Sequence, residues 1–121
     1  MTGKVQILVV GNNRTNLQLL THQLEGEGYE TLIAASLEEL DLTIKGNKNI
    51  ALCLLDVSGF DQRIWERCEQ LRKDKIPFIV ISPQRSPTIQ RDSMKHGASA
   101  LLVKPIGIRD LKEFVNTLLG E

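Results

Sequence analysis

Three side chains of different chemistry each stand at the end of an apolar run. Asp56 closes Ile50-Ala51-Leu52-Cys53-Leu54-Leu55, Ser82 closes Pro77-Phe78-Ile79-Val80-Ile81, and Lys104 follows Ala100-Leu101-Leu102-Val103. A carboxylate, a hydroxyl and an ammonium brought to one edge could handle a phosphoryl group. The carboxylate would be the nucleophile, while the other two would bind the phosphoryl oxygens. An isolated Asp at a strand end more ordinarily caps the following turn. What the chain places beside Asp56 decides between these roles.

Apolar runs without alternation suit strands covered on both faces, the usual state in a parallel sheet. Val5 to Val10 reads as the first strand, ending at Gly11-Asn12-Asn13. Leu17, Leu20 and Leu24, with Leu19 widening the stripe, predict an amphipathic helix from residue 14 to about 27, ended by Gly26 and Gly28. Thr31 to Ala35 is a short second strand. Ser36 with Glu39 is a capping-box pattern. It opens a helix through Leu37, Leu40 and Ile44 that Gly46-Asn47-Lys48-Asn49 closes.

After Asp56, Val57-Ser58-Gly59-Phe60 reads as a loop, and Ile64, Cys68 and Leu71 space a third helix. Pro77 can begin the fourth strand, where it removes no donor from the middle of the ladder. Pro83 and Pro87 bracket a loop before a fourth helix from about Thr88 to His96, poor in apolar residues. Gly97 is placed to end it in a left-handed cap, and Lys95 and His96 suit the negative end of its dipole. Ala100 to Lys104 is a fifth strand; Ile108, Leu111, Phe114, Val115 and Leu118 make the last helix. Such alternation gives a parallel sheet with helices on both faces, because each crossover needs a covering helix. Right-handed crossovers put all the strands' carboxyl ends on one edge, where open α/β sheets bind ligands. On that edge fall Gly11-Asn12-Asn13, Asp56, Ser82 and Lys104.

The 121 residues suffice for one domain with a real core. Lys+Arg and Asp+Glu are balanced at 15 each, which argues against nucleic acid or an acidic membrane surface as the main partner. Residues 1–60 hold four Lys/Arg against seven Asp/Glu, a mild asymmetry of solvated helix faces. No stretch approaches the roughly 20 apolar residues of a membrane span. The start, Met1-Thr2-Gly3-Lys4, leads straight into a strand with no signal-peptide cleavage site. Cys53 in a strand and Cys68 on a helix make no disulfide framework, so a reduced, cytoplasmic protein is expected. His22 and His96 read as surface residues without acidic or Cys partners at ligand spacing, and Trp65 as partly buried or at an interface, more ordinarily packing than a partner hot spot.

Several stretches resemble the receiver domains of bacterial two-component response regulators, and the resemblance covers nearly the whole chain. They are Ile7-Leu8-Val9-Val10, Leu54-Leu55-Asp56-Val57, Ile76-Pro77-Phe78-Ile79-Val80-Ile81-Ser82, and Gly97-Ala98 through Val103-Lys104-Pro105. The Lys-Pro pair after a strand, with Leu111 in the next helix, is the most specific element. The resemblance implies an α/β, flavodoxin-like (CheY-like) fold over residues 1–121 as a single receiver-like domain. Its doubly wound five-stranded parallel sheet would have strand order 2-1-3-4-5 in a three-layer sandwich. By position it makes Asp56 the phospho-acceptor, Ser82 the switch hydroxyl and Lys104 the phosphate-binding lysine, with a Lys104-Pro105 bond that is often cis. The implied partners are a histidine kinase or phosphotransfer protein, and an output domain or second copy on the face of the fourth helix, fifth strand and fifth helix. Arg85, Arg91 and Lys95 lie there. The ending Leu118-Leu119-Gly120-Glu121 is compatible with an output domain beyond the last helix.

The departures from the family fall on the site and the switch. The acidic pair that helps hold Mg²⁺ after the first strand is here Gly11 and Asn12. One charge against a divalent ion at ~4 Å and an effective dielectric near 20 is worth roughly 8 kcal/mol before desolvation. Losing both acids should therefore leave a weak Mg²⁺ site made by Asn12, Asp56 and the carbonyl of Ser58. Leu101 replaces the usual switching aromatic, Pro83 stiffens the loop after Ser82, and Gly59-Phe60 lacks the usual Pro. One reading is an atypical or pseudo-receiver that signals through protein–protein contacts. The alternative is a functional receiver phosphorylated on Asp56 by a histidine kinase. A small flavodoxin-like enzyme is more remote, since Asn12 and Asn13 offer no base beside Asp56.

Overall fold

The computed structural model describes residues 5–47 and 49–119, and resolves the alternation into ten elements. They are β1 (Gln6–Val10), α1 (Arg14–Gly26), β2 (Glu30–Ala34), α2 (Leu37–Gly46), β3 (Ile50–Asp56), α3 (Arg63–Lys73), β4 (Phe78–Ser82), α4 (Pro87–Lys95), β5 (Ala100–Val103) and α5 (Ile108–Leu119). The strands form one parallel sheet in the order β2-β1-β3-β4-β5, as expected. The start Met1-Thr2-Gly3-Lys4, the turn residue Lys48, the end Gly120-Glu121 and the side chain of Ile108 lie outside the described residues.

Period-two geometry explains why the central strands need apolar residues at every position. Leu8, Val10, Cys53, Leu55, Phe78 and Val80 point into one core with Leu40 of α2 and Ile64, Trp65, Cys68 and Leu71 of α3. Their neighbours Ile7, Val9, Leu52, Leu54, Ile79 and Ile81 point the other way, against Leu17 and Leu24 of α1 and Leu111 and Val115 of α5. Each fully buried side chain of this kind contributes about 1.5–3 kcal/mol. β3 therefore cannot shift its register without exposing one core or the other, and Asp56 is fixed at its end.

Local signals set the helix starts. Ser36 Oγ accepts the Glu39 N–H at 3.1 Å, as the capping pattern requires. Glu39 reaches one residue further back than a capping box does: its Oε1 accepts the Ala35 N–H at 2.8 Å and its Oε2 the Arg14 guanidinium at 2.9 Å. α4 starts earlier than expected, because Ser86 caps it (Ile89 N–H to Ser86 Oγ, 3.2 Å) and Pro87 occupies its first turn. Gly97 has φ +95°, the left-handed cap expected there. Two members of the apolar stripes face outward instead: Leu19 of α1 is 64% exposed, and Phe114 of α5 is partly exposed. In both helices, residues three or four apart already fill the contact with the sheet.

Candidate phosphoryl site at the sheet edge

Asp56 is the last residue of β3 and pairs in register with Ile81 of β4. Lys104 follows β5, anchored by its N–H on the Ser82 carbonyl at 2.9 Å. Its side chain reaches over the end of β4 to place Nζ 2.6 Å from Asp56 Oδ2. The carboxylate is 14% exposed and the lysine 34%, so this charge-assisted contact is only partly screened by water. The other oxygen, Oδ1, accepts the Ser58 N–H at 3.0 Å. Asp56 thus shapes the following turn as an ordinary capping Asp would and also faces the sheet-edge ammonium.

Ser82 is fully buried, one residue beyond the register partner of Asp56. Its hydroxyl donates to the Gln84 carbonyl at 2.5 Å across Pro83. The proton of the expected switch hydroxyl is therefore engaged by its own loop. Leu101, half-buried on β5, packs with Ile89 of α4 against the core beneath α3.

The loop after β1 differs most from an acidic cradle. A Cβ at Gly11 would lie 2.8 Å from Leu17 Cδ2, so the first turn of α1 packs against the bare backbone there. The Asn12 amide lies directly over Gly59, which has φ +80° and where a Cβ would collide with it. Gly59 is needed twice, for its left-handed backbone and for the room it leaves Asn12. Asn12, Asn13, Asn16, Asp56, Ser58, Gly59 and Lys104 together line a cleft of about 290 Å³. Of these, Asp56 alone carries a carboxylate. Ser58 Oγ is buried and has no hydrogen-bond partner among the described residues. Among the described residues no three His, Cys, Asp or Glu side chains stand close enough to hold a metal ion.

A second, larger groove of about 680 Å³ opens onto the same pair. Leu17, Leu19 and Leu20 of α1 form one wall; Pro83, Pro105 and Ile106 stand opposite, with Asp56 and Lys104 between them. The exposed Leu19 is the outer rim of this groove. The Lys104-Pro105 peptide bond is cis, as the resemblance implied.

The two cysteines are structural. Burial pushes the Cys68 thiol up to about 12 and raises that of Cys53 as well, so neither offers a thiolate. His96 corrects the reading of an unpartnered surface histidine. Its Nδ1 lies 2.8 Å from Glu69 Oε2 of α3, and its ring stacks on Trp65 with centroids 5.6 Å apart and planes 10° from parallel. The partners come from another helix, 27 and 31 positions away, so no spacing along α4 could have revealed them. His22 is exposed, as expected.

With this geometry in view, comparison with known proteins is decisive. The model of the response regulator receiver domain matches residues 7–116. The chain belongs to that family. This receiver is 29% identical to the polar-differentiation response regulator DivK of Brucella ovis over 120 residues, covering 95% of this chain and 96% of that one. Its fold matches the CheY-like receiver domain protein of Methanospirillum hungatei JF-1 with a TM-score of 0.86 at 30% identity, over 98% of this chain and 95% of that one. A two-component response regulator from Clostridium difficile shares the fold with a TM-score of 0.87 at 24% identity, each chain covered to 98%. The family is one of signalling proteins that work with histidine kinases and output domains. No helix among the described residues is long and apolar enough to cross a membrane.

Proposed function

We propose that this receiver, a single domain over residues 1–121, is an atypical member of two-component signalling that works in the cytoplasm through protein–protein contacts. One observation carries this: the sole carboxylate of the cleft is held by Lys104 at 2.6 Å, while Gly11 and Asn12 stand where the family has acids. Mg²⁺ demands near-octahedral oxygen ligation and is usually held through carboxylates with water and phosphate oxygens. Here Asn12, Asp56 and the Ser58 carbonyl remain, with the amide of Asn12 seated on Gly59 and both Asp56 oxygens already engaged. That set does not fit a resident Mg²⁺ and amounts to a degraded site. An acid at Gly11 would also have to displace the Leu17 side chain, whose Cδ2 lies 2.8 Å from where its Cβ would stand.

Two surfaces support contact signalling. The apolar groove between α1 and the loop after β5 leads a histidine kinase or phosphotransfer protein to Asp56. The face of α4, β5 and α5 exposes Met94 and Phe114 to an output domain or a second copy. Nothing in the cleft supplies a base or cofactor loop for turnover, so the chemistry extends at most to self-catalysed phosphoryl transfer onto Asp56.

The alternative, a receiver phosphorylated on Asp56 by a histidine kinase, is favoured by the same pair seen from the other side. Phosphorylation would add about −1.5 to −2 charges where Lys104 already points, and Ser82 lies close by in register. Incubation with Mg²⁺ and a small phosphodonor, read by intact mass, separates the two. The contact reading expects no stable gain of about 80 Da, one phosphoryl group. A stable gain that disappears in Asp56→Asn establishes the alternative in its place.

A further inference from the structure

α4 carries the proposed output face, yet it is held to the domain by few buried groups. Ser93 is its one buried side chain, with its hydroxyl returned to the Ile89 carbonyl at 2.6 Å; Ile89 is half-buried and Met94 is 52% exposed. The other attachment lies at its C-terminal end, where His96 meets α3. There Glu69 Oε2 stands 2.8 Å from the imidazole Nδ1, and the Trp65 indole lies flat beneath the ring.

We propose that the His96–Glu69–Trp65 contact is a proton-operated latch between α3 and α4. With the ring protonated, the contact is an ion pair with a charge-assisted hydrogen bond, over an aromatic face and at the negative end of the α4 dipole. With the ring neutral, it keeps a hydrogen bond and a stack but loses all three charge terms. Histidine is the side chain whose charge changes in the range where proteins work. The charged groups around it are Glu69 and Arg72 on α3, with Arg72 Nη1 3.9 Å from Glu69 Oε1 and its chain against Gly97, and Asp92 and Lys95 on α4. Lys73 acts on Glu69 from one residue beyond Arg72. Arg72 opposes the protonated ring and also competes for Glu69 once the ring is neutral. The latch acts on α4 without passing through Asp56.

Trp65 is the only tryptophan and lies under the ring, so it reports the state directly. A protonated imidazole stacked on indole quenches its fluorescence. Fluorescence should rise in a single step as pH goes from about 5 to about 8, and the step should vanish in His96→Gln. Amide exchange, corrected for its intrinsic pH dependence, should show protection in α4 falling about fivefold over the same range relative to α5. Glu69→Gln, which keeps an acceptor but removes the charge, should shrink that change while retaining the fold by circular dichroism. An α4 protection ratio unchanged between the two pH values, or an equal change in His96→Gln, overturns the latch.

Discussion

β3 and α4 are built in opposite ways within one small domain. In β3 the run Leu52-Cys53-Leu54-Leu55 is fully buried, alternate residues serving two different cores. α4 buries a single serine and leans on its cap, on Ile89 and on the contact of His96 with α3. The difference matches a division of labour. In the proposed function, a carboxylate that meets Lys104 within a hydrogen bond sits on a rigid strand end, whereas the proposed partner face lies on a helix whose attachment can change at small cost.

That contrast can be broken at β3 with the largest effect. Leu54→Ala should cost about 2–5 kcal/mol of global stability, seen as a lower denaturation midpoint in urea with unchanged slope. The same measurement on Met94→Ala should show almost nothing, since that side chain is mostly exposed. Ser86→Ala removes the cap of α4 and should cost about 1 kcal/mol, read as faster exchange of α4 amides while those of β3 keep their protection. A loss of protection in β3 of equal size would show that α4 is no separate unit.

Smaller still is the acid response. Glu39 is held below the usual carboxylate range chiefly by the Ala35 N–H and then by Arg14, and Glu69 chiefly by its bond to His96. A carboxyl whose folded value is depressed contributes stability that is present above its unfolded value and fades as pH falls through the folded one. Urea midpoints should therefore drop between about pH 6 and about pH 3, and less so in Glu39→Gln than in the parent.

The frame was legible in the sequence because burying both faces of a strand leaves an unalternating apolar run, and Ile50 to Asp56 is such a run. The strand order and the family followed from Lys104-Pro105 and the other quoted stretches. The positions of Asp56, Ser82 and Lys104 were also readable, since each sits at the end of a run. What escaped was everything decided across elements. Leu17 filling the space at Gly11, Asn12 resting on Gly59, and His96 meeting Glu69 and Trp65 join residues whose spacing carries no period. Ser86-Pro87 did carry a signal, a cap followed by a first-turn proline, which the two bracketing prolines obscured. Leu19 and Phe114 matched helical periodicity but exceeded the width the sheet contact could cover.

The proposed degradation of the Mg²⁺ site rests on the missing acids at the carboxyl edge and on the contact of Asp56 with Lys104. A calorimetric Mg²⁺ titration of the protein beside Asn12→Asp tests it most directly, because that substitution returns one carboxylate without displacing Leu17. The expected result is no saturable binding by the parent at about 1 mM, corresponding to less than about 4 kcal/mol, and at least about a tenfold gain in affinity in Asn12→Asp. Saturable binding by the parent at or below about 1 mM, unchanged by Asn12→Asp, would contradict it.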